Sequence, residues 1–141
     1  MERNLKEIEI RDNFASRLIE FRPDEKLISC EQPYSEVALR TDMQTIDKDN
    51  TIRIWEFKVT ADYSAIGQLI VYLHLKRKET QFGSNVVGVL AATEIPSHIR
   101  EAVIASGLNI ELYTINKSVS GLEQYLAHNE VSIFFPKETV I

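Results

Sequence analysis

The feature of the sequence that most constrains the fold is a regular alternation of strand-like and helix-like segments between residues 51 and 115. The predicted order is strand Thr51–Val59, helix Ser64–Lys78, strand Val86–Ala92, a helix between Pro96 and Gly107, and strand Asn109–Ile115. The middle strand is a continuous apolar run, which is typical of a strand covered on both faces. Because strands that alternate with helices form parallel sheets with right-handed crossovers, we predict an α/β domain.

The first third of the sequence adds a helix and an antiparallel hairpin to this unit. A helix is predicted over Asn4–Phe21 and ends before Pro23, and Lys26–Gln32 is a short strand candidate. Polar and apolar residues alternate through Glu36–Asp47, and the turn-forming residues Asp47–Asn50 join this strand to the next. The whole prediction is a mixed β-sheet flanked by helices.

The length of 141 residues is enough for one domain and too short for two ordinary ones. We predict a single domain over residues 1–141, with a core at about 5–115 and a helix–strand extension at about 116–141. The hydrophobic fraction of 44% and the charged fraction of 26% are typical of a globular protein. The net charge of −5 argues against a generally basic nucleic-acid coat protein, although local clusters can still steer a nucleic acid.

The single cysteine and the N-terminal residues indicate in which cellular compartment the protein is expected. Cys30 is alone, so an internal disulfide and a cysteine-based zinc site within one chain are excluded. The first residues are charged, without the apolar core of a signal peptide, and no apolar run approaches the roughly 20 residues of a membrane span. We therefore expect a cytoplasmic protein with no membrane partner.

A charged pair, Glu56 and Lys58, interrupts a strand that otherwise reads as buried. Burial of charge is costly unless the groups are paired or hold a metal. Both side chains lie on one face of the strand, and the hairpin can bring Asp42 beside Glu56. Two adjacent carboxylates repel unless a cation lies between them, and oxygen ligands suit Mg²⁺ or Mn²⁺ better than zinc. The alternative is a structural ion pair at a sheet edge.

The helix that follows carries further candidates. Gln68 and Tyr72 belong to one polar stripe, next to an apolar stripe that includes Leu69 and Ile70 and is predicted to pack on the sheet. Gln68 can hydrogen-bond a phosphate, and Tyr72 can stack nearby. The predicted nucleic-acid contacts are the basic residues Arg40, Lys76, Arg77 and Lys78. For the last three, a solvated helix end is the alternative.

These motifs carry a resemblance. Asp42, followed after thirteen residues by Glu56-Phe57-Lys58, resembles the D…(E)xK core of the PD-(D/E)xK nuclease superfamily. The segment Gln68–Tyr72 resembles the QxxxY motif of its RecB-like branch. Residues 5–115 are most similar to the C-terminal nuclease domain of the NucS/EndoMS mismatch endonucleases. The resemblance implies a restriction-endonuclease-like fold and catalytic roles for Asp42, Glu56, Lys58, Gln68 and Tyr72.

The resemblance also implies an acidic residue on the first helix, for which Glu7 is the carry-over and Glu9 the alternative. The implied metal ligands are then Asp42, Glu56 and Glu7, with Mg²⁺ or Mn²⁺ as the cofactor. One departure is Leu39, which stands where the family often has glycine before the motif aspartate.

The resulting hypothesis is a metal-dependent endo- or exodeoxyribonuclease that acts on DNA. The alternative is a non-catalytic module that binds nucleic acid or protein on a nuclease fold, and a third reading is a structural protein with an inactive site. A domain of this size offers little surface for long sequence readout. A homodimer or a larger nucleic-acid-processing complex is therefore compatible with this function.

Overall fold

The computed structural model describes residues 5–34 and 39–115. Its elements are α1 (Leu5–Ser16), α2 (Leu18–Phe21), β1 (Glu25–Tyr34), β2 (Leu39–Asp47), β3 (Ile52–Thr60), α3 (Tyr63–Glu79), β4 (Val86–Glu94), α4 (Ser97–Ala105) and β5 (Ile110–Thr114). The extension predicted at about 116–141 lies outside the described residues. Within them, no helix is both long enough and apolar enough to cross a membrane.

The five strands form one sheet in the order β1-β2-β3-β4-β5. β1 pairs with β2 and β2 with β3 in antiparallel fashion, whereas β4 is parallel to both β3 and β5. The turn between β2 and β3 is stabilised by Asp47, whose Oδ1 accepts hydrogen bonds from the backbone N–H groups of Asp49 (2.8 Å) and Thr51 (3.0 Å). The predicted mixed sheet and its hairpin are confirmed.

Two apolar clusters cover the two faces of the sheet. α3 and α4 pack on one face through residues that include Leu69 and Ile99, while α1 packs on the other through Phe14. Alternation along β3 supplies both clusters, since Ile54 belongs to the first and Trp55 to the second. β3 is therefore covered on both faces, and any polar side chain on it has to be accommodated between layers.

The N-terminal helix differs from the prediction, because it is broken into two. Arg17 is not helical; its N–H bonds to the carbonyl of Phe14, three residues back, and the short α2 begins at Leu18. Phe14 and Leu18, four residues apart, are buried in the same cluster on either side of the break. The apolar pattern of the sequence continues across Arg17 and does not mark the break.

Candidate functional site

The candidate site lies where β2 and β3 separate. Their regular pairing ends at Met43 and Trp55. Just beyond this pair, Oδ2 of Asp42 accepts a hydrogen bond from the backbone N–H of Phe57 at 2.8 Å. Two residues further along β3, Oε2 of Glu7 on α1 accepts from the N–H of Val59 at 3.2 Å. Two carboxylates thus take backbone donors at the end of β3, which fixes their positions.

The second strand carboxylate is Glu56. Glu56 follows Trp55 on β3, and Asp42 precedes Met43 on β2. Because Trp55 and Met43 are the last regular pair of these antiparallel strands, the two acidic residues lie one position beyond that pair on adjacent strands. Both are buried, with 8% of Asp42 and 6% of Glu56 exposed. The hairpin therefore brings these two residues to the same end of the sheet. This closeness follows from the register, which the sequence left open.

Lys58 lies beside this pair and contacts the first helix. Its Nζ is 3.8 Å from Oε1 of Glu7, and both side chains are mostly buried. Burial raises the pKa of the Glu7 carboxyl, and this effect outweighs the opposing effects of the Val59 N–H and of Lys58. The nearby charges of Asp42 and Asp62 raise the pKa of Glu7 further. These groups therefore share one electrostatic environment.

The three predicted metal ligands are not assembled into one cluster. Within residues 5–34 and 39–115, no group of three or more His, Cys, Asp or Glu side chains is arranged to hold a metal ion. Glu7 instead contacts Lys58 and the Val59 backbone. Metal binding by Asp42, Glu56 and Glu7 stays a prediction. Of these three residues, Asp42 and Glu56 lie at the same end of adjacent strands.

Helix α3 begins next to this site. Asp62 is its N-cap, and its Oδ1 accepts from the N–H of Ala65 and the hydroxyl of Ser64, both at 3.0 Å. Gln68 is half-buried and Tyr72 is only 2% exposed. Tyr72 therefore packs in the core between α3 and the sheet.

The division of α3 into two stripes needs one correction. Ile70, predicted to pack on the sheet, is 46% exposed, whereas Tyr72 from the polar stripe is buried in the core cluster. The helix is rotated about its axis relative to the expectation, so that Tyr72 faces the sheet. Periodicity alone does not fix this rotation, because apolar residues occur around most of the helix.

The basic residues at the end of α3 lie away from the carboxylates. Lys76 is 8% exposed, with its Nζ 3.1 Å from Oε1 of Glu79, and Arg77 donates to the carbonyl of Val86 at 3.0 Å. Val86 pairs with Ile52, the first residue of β3, whereas Glu56 and Lys58 lie toward its end. Arg40 belongs to β2, and its side chain lies outside what is described. DNA contact by these four residues stays a prediction.

Two side-chain groups were not predicted from the sequence. Arg53 on β3 binds carboxylates from three other segments, and no local spacing in the sequence joins them. Tyr63 and His98 pair at the first turns of α3 and α4, with ring centroids 5.9 Å apart and ring planes inclined at 56°. The only signal for the second group was an aromatic residue directly after the helix cap.

Of the comparisons with known proteins, only the comparison with solved structures finds a match. No protein-family model and no curated protein matches the chain. Solved structures do match, including the following three. An EndoMS–double-stranded DNA complex has a TM-score of 0.63 at 22% identity over 79% of this chain. EndoMS in its apo form gives 0.59 at 22% identity over 78%. A repair endonuclease from Pyrococcus abyssi gives 0.56 at 26% identity over 78%.

The chain is similar to the EndoMS endonucleases. It spans 46% of the length of each of the three matched chains. The matches confirm the predicted resemblance and the mixed-sheet α/β fold, and they are consistent with the PD-(D/E)xK superfamily.

Proposed function

We propose that this chain is a metal-dependent nuclease that hydrolyses phosphodiester bonds in DNA. The observation that carries the proposal is the placement of two buried carboxylates, Asp42 and Glu56, beside Lys58 at the separation of β2 and β3. The fold adds support, because the similar structures are repair endonucleases, one of them in complex with double-stranded DNA.

The donor set fits a hard divalent cation. Asp42 and Glu56 provide only oxygen ligands, which Mg²⁺ and Mn²⁺ prefer. Both residues are more than nine-tenths buried, and a cation beside them would offset the cost of burying ionised carboxylates. Glu7 is engaged by Lys58 and the Val59 N–H, so we assign the metal to the two strand residues.

The chemistry divides among the named side chains. When bound, Mg²⁺ or Mn²⁺ would supply a more acidic water and positive charge beside the phosphate. Lys58 would donate hydrogen bonds to the attacking water or to a phosphate oxygen and so stabilise the charge that develops there. The water loses a proton to solvent and its oxygen forms a bond to phosphorus, while one P–O ester bond breaks and the leaving oxygen takes a proton from solvent. Glu7 positions Lys58, and the half-buried Gln68 offers an amide donor.

A cleavage assay tests this proposal. Labelled single-stranded, duplex, flapped and mismatched DNA, together with closed circular DNA, would be incubated with Mg²⁺, Mn²⁺ or EDTA. We expect metal-dependent cutting that Glu56→Gln and Lys58→Ala abolish. The matched control is Glu101→Gln, which changes an exposed glutamate on α4. Cutting of the circle would identify an endonuclease. Cutting that persists in EDTA or in Glu56→Gln would contradict the proposed site.

The alternative is a module that binds DNA without cutting it. The contact between Glu7 and Lys58 favours this reading, because a predicted metal ligand and a predicted catalytic residue already engage each other. DNA binding that is unaffected by metal or by Lys58→Ala, without cutting of any substrate, would support the module and exclude the nuclease.

A further inference from the structure

The side of α3 that faces away from the sheet carries an exposed stripe. Gly67, Val71 and His74 follow each other at helical spacing, and all three are exposed, whereas Tyr72 on the sheet-facing side is buried. Val71 is 40% exposed, and the neighbouring Ile70 is 46% exposed. A single exposed apolar residue needs no explanation, but two adjacent ones on the outer side of a helix form a patch that a partner can cover.

Gly67 is not explained by packing within the described residues. Glycine in a helix interior lowers helix stability relative to alanine, and Gly67 lies inside α3, where no positive φ requires it. A Cβ atom at this position would meet no heavy atom of another described segment within 4 Å. The absence of a side chain instead leaves room for the backbone of a second helix to approach α3 closely.

The stripe is complementary to itself about Val71. Gly67 lies four residues before Val71 and His74 three residues after it, so an antiparallel second copy of α3 centred on Val71 places each imidazole over the other copy's glycine. The two ends of the helix also complement each other in charge. The exposed Asp62 caps the start of α3, and its last turn carries three basic residues. Antiparallel packing places each acidic cap near the other copy's basic turn and opposes the helix dipoles.

We propose that the outward side of α3 is a dimer interface with a second copy of this chain, related to the first by a two-fold axis at Val71. In an isologous interface the same patch serves both copies, and the stripe meets this condition in size and in charge. A foreign partner would require no such symmetry. Because the interface is one helix wide, we expect a weak dimer that depends on protein concentration. The inference is independent of the proposed nuclease function, since the stripe faces away from the sheet.

Sedimentation equilibrium of the whole chain, without metal or DNA, tests the interface. We expect the wild type to change from the mass of one chain to that of two as its concentration rises. Val71→Arg places two like charges at the axis, so the dissociation constant should rise at least about 10-fold. Ile104→Arg is the matched control, because Ile104 is 39% exposed on α4 and lies outside the stripe. Gly67→Ala should favour the helix and yet weaken the dimer at least about 5-fold, because its methyl group overpacks the contact.

A cysteine cross-link tests the position of the axis. In a Cys30→Ser background, which removes the natural thiol, Val71→Cys should form an intermolecular disulfide with oxidised glutathione. A disulfide requires Cβ atoms about 3.5–4.5 Å apart, which the proposed axis provides at Val71. Ile104→Cys in the same background should form no such cross-link.

Each outcome supports or overturns the interface. A wild type that stays monomeric at its highest soluble concentration overturns it and leaves the stripe to a different partner. A dimer that Val71→Arg leaves intact, or that Ile104→Arg weakens equally, also overturns it. Dissociation of folded Val71→Arg, confirmed by circular dichroism, together with cross-linking of Val71→Cys and not of Ile104→Cys, supports it.

Discussion

Buried charges at the two ends of the central strand β3 are arranged in different ways. Near its start, Arg53 has its Nε 2.8 Å from Oε1 of Glu111 and its Nη1 2.8 Å from Oδ2 of Asp47. The same Nη1 is 3.4 Å from Oε2 of Glu25, which also accepts a 2.6 Å bond from the Thr45 hydroxyl through Oε1. We call these residues the arginine cluster. Its contacts join β1, β2, β3 and β5 through side chains alone.

The other end of β3 holds its carboxylates through the backbone. Asp42 and Glu7 accept from the N–H groups of Phe57 and Val59, and the cation is a lysine at 3.8 Å from Glu7. A guanidinium fixes several carboxylates in a rigid planar geometry, whereas an ammonium is a mobile point charge. The arginine cluster therefore joins four strands rigidly, which serves stability, whereas the carboxylates at the other end are held by single backbone donors and a lysine. This difference agrees with the function proposed for the candidate site.

The largest expected effect on stability is at the arginine cluster. Arg53→Met would leave Asp47 and Glu111 without their guanidinium, while Glu25 keeps its contact with Arg22. We expect the free energy of unfolding to fall by about 3 kcal/mol, the lower part of the range for breaking a buried ion pair. Urea denaturation measures this. The control is Lys48→Met, which removes an exposed contact of 3.6 Å with Asp24 and should cost less than about 1 kcal/mol. Equal losses in both variants would contradict the assigned role of Arg53.

At the candidate site, a substitution should reduce activity strongly and stability little. Asp42→Asn retains an oxygen for the Phe57 N–H, so we expect little loss of stability but a fall in cleavage rate of about 10²–10³-fold. Addition of Mn²⁺ should raise the melting temperature of the wild type and not of the variant. Single-turnover cleavage and thermal denaturation measure the two effects. An active variant that still responds to Mn²⁺ would remove Asp42 from the metal site.

The contributions of the two ends of β3 to stability should also change with pH in opposite directions. Burial raises the pKa of Glu7 above its ordinary value of 4.5, so its contribution to stability is present below pH 4.5 and is lost as the pH rises through the higher folded pKa. For Asp47, burial alone would raise the pKa, but hydrogen bonds from Arg53 and the turn backbone lower it below 3.8. Its contribution is present above pH 3.8 and is lost as the pH falls through the folded pKa.

Denaturation at a series of pH values in EDTA checks both signs with two isosteric variants. The stability of the wild type relative to Glu7→Gln should fall as the pH rises above 4.5. The stability relative to Asp47→Asn should rise as the pH increases through the range below about 4. Parallel profiles for the two variants would show that the two ends of β3 do not differ in this way.

The smallest expected effect is at the basic end of α3. If the exposed Lys78 contacts a DNA phosphate, Lys78→Ala should reduce the slope of log affinity against log salt by about 1, with little change in sequence preference. Lys26→Ala is the control, because Lys26 is an exposed lysine on the edge strand β1 and is not among the predicted DNA contacts. An unchanged slope in Lys78→Ala would exclude that residue from the interface.

Local pattern in the sequence was enough to predict most of the fold. The turn-forming residues Asp47–Asn50 predicted the hairpin, and the apolar run at β4 predicted a strand covered on both faces. The break at Arg17 and the rotation of α3 were not predictable. The rotation depends on which side chains fit the core around Leu69, and local periodicity carries no information about that fit. For the break, the apolar pattern continues across Arg17 and carries no signal.

The sequence by itself determined the candidate residues of the site and the elements on which they lie. Period-two alternation placed Glu56 and Lys58 on one face of a strand, and the spacing of the motifs carried the resemblance that the structural matches confirm. Tertiary structure alone decided their partners. Glu7 reaches Lys58, Arg53 gathers its carboxylates and Tyr63 meets His98 only after distant elements pack together, because these contacts join segments that no local spacing relates.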